Sequence, residues 1–245
     1  MPFTFAHPAA ILPFRFIPQK YYSWTGLIIG SMVPDFQAFF QLGGGKMLSH
    51  SWIGIFIYDL PVGLLLGFVF HLIVRDPLID NLPQSFAERL VNYHRTNWVK
   101  VFQKRYGIIL FSLLIGILSH IILDRITHTD TYSYSDRVGL KLSIEDKVEW
   151  SRILQRGGSI VGFALLLWQI RALPAARHFV PHRCRMYWFI VADVTFIIFW
   201  FRFQFPIIGD DDINSLLGAG IWGLIAAGIL VEVSRKKQVK FTLTN

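Results

Sequence analysis

A chain of 245 residues that is 53% hydrophobic and only 16% charged, with a mean hydropathy of +0.45, is too apolar for an ordinary water-soluble domain. Its single cysteine, Cys184, excludes an internal disulfide and any thiolate metal cluster, so a bound metal must be held by nitrogen and oxygen. The net charge of +8 would suit nucleic acid, but its placement between apolar blocks excludes that partner in favour of a membrane surface.

Read in chain order, residues 1–52 predict short N-terminal half-helices and a loop. No basic region followed by a small-residue cleavage site is visible, so these segments are expected to stay in the mature protein. The first runs apolar to Ile17, with Pro13 and Pro18 interrupting it, and the second, Tyr21 to Val33, stops at Pro34-Asp35. Neither is long enough to cross a bilayer alone, and such broken segments are tolerated where protein covers them or a wet cavity receives them. A hairpin of the two would return His7 to the level of Asp35, whereas one crossing would leave it on the other side; both stay open. Gly43-Gly44-Gly45 then leads to Ser49-His50-Ser51.

Five apolar blocks follow: Ile53 to Val74, Gly107 to Leu123, Gly157 to Leu173, Met186 to Phe205 and Ile213 to Val233. Each is close to the roughly 20 residues that a helix needs to cross about 30 Å of hydrocarbon. The expected fold is therefore all-α, a polytopic integral membrane bundle of about five spanning helices in one membrane domain, 1–245. Residues 53–124 form an antiparallel pair joined by a basic interfacial helix, 125–156 a polar loop and short helix, and 157–245 three further spans with a basic tail. Arg75, Arg89, Arg95, Lys100, Lys104 and Arg105, then Arg177, Arg183 and Arg185, then Arg235, Lys236, Lys237 and Lys240 fall on one common face. The positive-inside rule makes that face cytoplasmic, with the C-terminus inside, and anionic lipid its expected partner.

The chemistry gathers at the other face. His120, Asp124 and His128 recur every fourth residue, which on a helix places them along one side. Two imidazoles and a carboxylate suit zinc or a similar divalent ion; the alternative is a hydrogen-bonded pair closing a helix end. Because 53–124 is an antiparallel pair, the start of its first helix and the end of its second share a membrane face, bringing His50 and Asp35 level with His120, Asp124 and His128. Asp59, nine residues after His50, falls on the opposite side of a regular helix and reads as a supporting residue paired with an arginine or with backbone amides. Ser49 and Thr127 are candidates for orienting the histidines. His71 reads as a satisfied core histidine, and His94 and the pair His178 and His182 as solvated.

The opening M-P-F-T-x-A-H-P, Ser31-Met32-Val33-Pro34-Asp35, Ser49-His50-Ser51, Asp59-Leu60-Pro61-Val62-Gly63, Ser119-His120 to Asp124, Thr127-His128 and Leu154-Gln155 together resemble an uncharacterised bacterial membrane family, domain of unknown function 4184. More loosely, an early His, a P-D pair, a His before a helix and H-x-x-x-D at a later helix end are similar to predicted membrane-bound metal-dependent hydrolases of the LexA-regulated inner-membrane type, and through them to zinc-dependent phospholipase C. That likeness implies metal ligands at His7, Asp35, His50, His120 and Asp124, with His128 added. The second H-x-x-x-E helix of zinc phospholipase C and its N-terminal tryptophan have no counterpart, which favours one or two metals over three. The expectation is a hydrolase of the inner membrane, using zinc or manganese to activate water against a phosphoester or lipid-related ester, with Asp35 or Asp124 binding metal or taking the proton. A structural His/Asp cluster and a metal or proton transporter are the rival expectations.

Overall fold

The computed structural model describes residues 3–41, 48–127, 144–176, 178–204 and 212–244, without the side chains of 144–147, 203 and 236–244. The described residues are mostly helical, with no strand among them. In order they form 3-10 segments at Thr4–Phe16 and Gln19–Tyr21, α1 (Trp24–Gly30), α2 (Val33–Phe40), α3 (Trp52–Asn81), α4 (Gln84–Leu90) with a 3-10 turn Val91–Tyr93, α5 (Trp98–Thr127), α6 (Ile144–Arg171), α7 (Tyr187–Gln204) and α8 (Asp212–Thr244). Four stretches are long and apolar enough to cross a membrane: Trp52–Asn81, Trp98–Thr127, Val148–Arg171 and Asp212–Arg235. The fourth apolar block of the sequence coincides with α7, a helix of 18 residues with Asp193 and Arg202 inside it.

The helices outrun the apolar blocks that announced them. α5 begins at Trp98 instead of Gly107, because the exposed Lys100 and Lys104 are good helix formers. Its one break is Arg105 (φ −134°, ψ 20°), whose guanidinium Nη2 donates to the carbonyls of Gln19 and Tyr22 at 2.7 and 3.0 Å. α3 contains two π turns, Ile55–Asp59 and Phe70–Val74. The basic link between the first two long helices contains a helix, Gln84–Leu90.

The chain divides into two compact units, the first comprising Met1–Asp35, Leu48–Leu64 and Arg105–Gln169, and the second Phe36–Met47, Leu65–Lys104 and Ile170–Asn245. In the first unit α1 lies directly on α5. A Cβ on Gly30 would strike the Leu113 carbonyl and the Gly116 Cα, and one on Gly116 would come within 2.5 Å of the Leu27 carbonyl, so only glycine permits this approach. Such contact of small residues is how apolar helices gain packing where burial from water supplies little. The Thr4–Phe16 segment runs along α6: Phe3 N–H donates to Ser159 Oγ at 2.8 Å and Arg15 Nη1 to Gln169 Oε1 at 2.8 Å. Pro8 and Pro13 remove two amide donors from it.

The second unit is centred on Tyr187, Ala227 and Val231 where α7 and α8 pack, with Gly223 of α8 against the Val191 carbonyl of α7. His71 stacks on Trp98 with centroids 4.0 Å apart and accepts at Nδ1 from Arg75 Nη1 at 2.9 Å, so it is satisfied as expected, though half-buried and not in the core. His94 corrects its prediction. It is not solvated: only 9% of its side chain is exposed, and Nε2 lies 3.3 Å from Asp80 Oδ2, which also accepts from Arg235 Nη2 at 2.6 Å. Asp80 is buried, and a buried carboxylate gathers whatever donors it can reach.

Candidate metal centre

The site is built within the first unit from four pieces of chain. The 3-10 segment contributes Thr4 and His7. In a 3-10 helix residues three apart eclipse one another, so both present to the same side. α2 contributes Asp35 in its first turn, and the turn before α3 contributes Ser49 and His50. The last turns of α5 contribute His120 and Asp124, one turn apart on one face.

These residues meet. His120 Nε2 lies 3.5 Å from Asp35 Oδ1 and 3.4 Å from Asp124 Oδ2, and His50 Nε2 lies 3.4 Å from Asp124 Oδ2 and 3.9 Å from Asp35 Oδ1. One ligand atom from each of the four residues falls within 4.8 Å of all the others. Four atoms about 2.1 Å from a central zinc would be separated by about 3.4 Å along the edges of a tetrahedron, close to the spacing observed. Two carboxylates with two neutral imidazoles also carry the charge that a divalent cation cancels, which suits a buried position.

The hydrogen bonds behind the ring fix what faces into it. His120 Nδ1 lies 2.9 Å from the Ser31 carbonyl, which can only accept, so Nδ1 carries a proton and Nε2 of a neutral ring is a bare lone pair. That lone pair faces two carboxylate oxygens. His7 repeats the arrangement, with Nδ1 3.2 Å from the Thr4 carbonyl and Nε2 3.4 Å from Asp124 Oδ1, and its ring stacks on His120 at 4.2 Å. Asp35 Oδ1, His50 Nε2 and His120 Nε2 are buried and make no hydrogen bond. Separations of 3.4 to 3.9 Å exceed the roughly 2.7–2.9 Å of a charge-assisted hydrogen bond and fit atoms that share a cation.

Asp35 is held from behind by the Thr4 hydroxyl, which donates to Oδ2 at 2.6 Å. Burial alone would push its carboxyl up, but the His120 ring and the Thr4 hydroxyl outweigh burial and hold it below the ordinary carboxylate value. His50 is the open side of the ring: 28% of its side chain is exposed, against 0% for His120. Ser49 Oγ lies 3.0 Å from His50 Nδ1, where a residue orienting that ring should be.

The other predicted residues lie outside the four-residue group. His7 touches Asp124 from outside it. Thr127 turns back on its own helix, donating to the Leu123 and Asp124 carbonyls at 3.0 and 3.3 Å, while its own carbonyl accepts from Ser151 and Gln155 and so joins α6 to the end of α5. Asp59 is fully buried, and neither of its oxygens accepts a hydrogen bond, so the expected pairing with an arginine or backbone amides does not form among the described residues. His128 lies outside the described residues, as do Gly43 to Gly45 and Arg177. Thr4 and Ser31 are contributors that the sequence reading missed. Ser31 acts through its carbonyl, which no residue type encodes; Thr4 had a signal, its spacing of three from His7 in a proline-punctuated segment.

No curated protein and no solved structure matches the chain. A family model does, over residues 1–234, a span that takes in every residue of the ring and all but the last residue of the four apolar helices, and the chain belongs to the family described as Domain of unknown function (DUF4184).

Proposed function

We propose that this protein is a membrane-embedded, metal-dependent hydrolase acting on a phosphoester or lipid-related ester. The observation that carries the reading is the convergence of Asp35 Oδ1, His50 Nε2, His120 Nε2 and Asp124 Oδ2 around one point, with His120 pre-set in the tautomer that a cation requires. A divalent ion bound there, zinc or manganese, would polarise a substrate oxygen and make a water molecule acidic near neutral pH. The chain's own groups do the rest. Asp35 and Asp124 offset the charge, and the carbonyls of Ser31 and Thr4 fix the rings of His120 and His7. His7, against the outer oxygen of Asp124, is placed to hold or pass a proton at Nε2. The exposed edge of His50 gives substrate its approach, while the other ligands stay closed to solvent.

In this reading the four long apolar helices cross the bacterial inner membrane and α7 makes a fifth crossing. The metal centre sits at the extracytoplasmic face, and the basic links and tail lie against anionic lipid in the cytoplasm. Elemental analysis of the full chain in mild detergent, wild type beside His120→Ala, tests the proposal. Bound zinc or manganese in the wild type, absent from the variant, is the expected result and leads to a screen of phosphoesters and lipids. No metal in either protein would mean that the cluster is a hydrogen-bonded lock between helices, and the hydrolase would be abandoned.

A further inference from the structure

His50 is the open member of the ring, and what borders its opening is apolar. α3 begins two residues on, and Trp52, Ile53, Phe56 and Ile57 in its first turns are 61–69% exposed. Residues four apart stand above one another on a helix. Trp52 with Phe56, and Ile53 with Ile57 and Pro61, therefore form an outward stripe that starts beside the ring and runs down the span. From Ser51 to Pro61 no charged side chain is exposed. An apolar face turned to lipid is ordinary on a spanning helix; one that adjoins the exposed edge of a His and Asp ring is not.

Depth points the same way. At 1.5 Å per residue, the rise from Gly107, where the apolar run of α5 opens, to His120 and Asp124 is about 20 and about 26 Å, against about 30 Å of hydrocarbon. The ring thus stands just short of the far boundary, where the ester groups of glycerolipids lie and where a tryptophan, here Trp52, is favoured. Among the described residues in the last two turns of α5, the exposed charge is Arg125, a cation at the height of lipid phosphate.

We infer that the substrate is a membrane glycerolipid that reaches the centre sideways from the leaflet on the ring's side. Its chains lie along Trp52, Ile53, Phe56 and Ile57, and its ester groups meet the exposed edge of His50. This narrows the hydrolase reading above and rests on it. A lipid that stays in its leaflet never draws its chains into water, a cost that grows with every methylene, whereas a soluble phosphoester would have to cross an apolar rim. Hydrolysis adds one water across the ester bond that is cut and needs no other reactant.

The test uses the full chain loaded with zinc or manganese in liposomes of dioleoyl phosphatidylglycerol and phosphatidylethanolamine. The same two lipids are offered in parallel as water-soluble dibutyryl forms, and products are read by mass spectrometry. Turnover of the dioleoyl forms about tenfold faster than of the dibutyryl forms is the expected result. Trp52→Gln and Phe56→Gln should each lower that ratio about fivefold with metal content unchanged. Phe111→Gln, at a position of α5 that is 60% exposed and away from the ring, should leave it alone. Equal rates on both forms, or a ratio untouched by the two rim substitutions, overturns the lipid substrate and leaves a hydrolase. Bound metal with no turnover of either form overturns the hydrolase itself. The sideways approach is also read without chemistry, from a nitroxide on Phe56→Cys in a Cys184→Ser background. It should collide with oxygen far more than with a water-soluble nickel chelate, and the reverse would put the rim in water and overturn the approach even for an active hydrolase.

Discussion

At the scale of single residues, the ring is held by groups one step behind it. The Thr4 hydroxyl donates to Asp35 Oδ2, and both residues are buried. Thr4→Val keeps the volume and removes that donor, and a hydrogen bond to a charged acceptor contributes roughly 1.5–3 kcal/mol. The folded Asp35 carboxyl sits below its ordinary value, so its contribution is complete above the unfolded value of about 4 and is lost as pH falls through the folded one. Thr4→Val should raise the folded value and move acid unfolding to higher pH. Thermal melts of both proteins at a series of pH values between neutrality and acid check this; superimposable curves would remove Thr4 from the account. His120 and Asp124 were legible in the sequence because their spacing is the helical repeat itself. The angular count that kept Asp59 out of the ring assumed a regular helix from His50 onward; the chain is neither helical at His50 nor regular at Ile55–Asp59, yet Asp59 does lie outside the four-residue group.

At the scale of elements, the centre depends on how closely α1 approaches α5. The Ser31 carbonyl that fixes His120 comes directly after Gly30, which touches Leu113 and Gly116. A methyl group on either glycine must push the helices apart, since the obstacle is backbone. Gly116→Ala should therefore displace Ser31 from His120 and weaken metal binding 10- to 100-fold, as loss of the groups behind a ligand usually does, while the helices remain. Metal titration with far-ultraviolet circular dichroism checks both halves, and unchanged affinity would show that the contact is merely packing. Gly107 of the same helix, with nothing near its Cβ, is the matched control, and Gly107→Ala should leave affinity unchanged. Antiparallel topology was enough to bring His50 and Asp35 level with His120 from sequence alone. It was not enough to place His7, whose position depends on thirteen residues of 3-10 helix that no hydropathy pattern announces.

For the whole molecule, the apolar blocks revealed where the long helices lie, and they understated the ends because polar and basic residues continue a helix as readily as apolar ones. Orientation is the open quantity, and charge predicts it. In a Cys184→Ser background, Ser51→Cys should react with a membrane-impermeant thiol reagent in intact spheroplasts, whereas Tyr106→Cys, at the far end of the first unit, should react after permeabilisation alone. The reverse order would invert the topology and place the metal centre in the cytoplasm.

Among the four ring residues, His50 alone shows appreciable surface, and it stands in the turn that precedes α3 with Trp52, Ile53 and Phe56 exposed just beyond it. A centre with one such doorway exchanges its ion at a rate set by the doorway. If the proposed ion is bound there, bulky chelators should strip the protein slowly however tightly they bind, and small ones quickly.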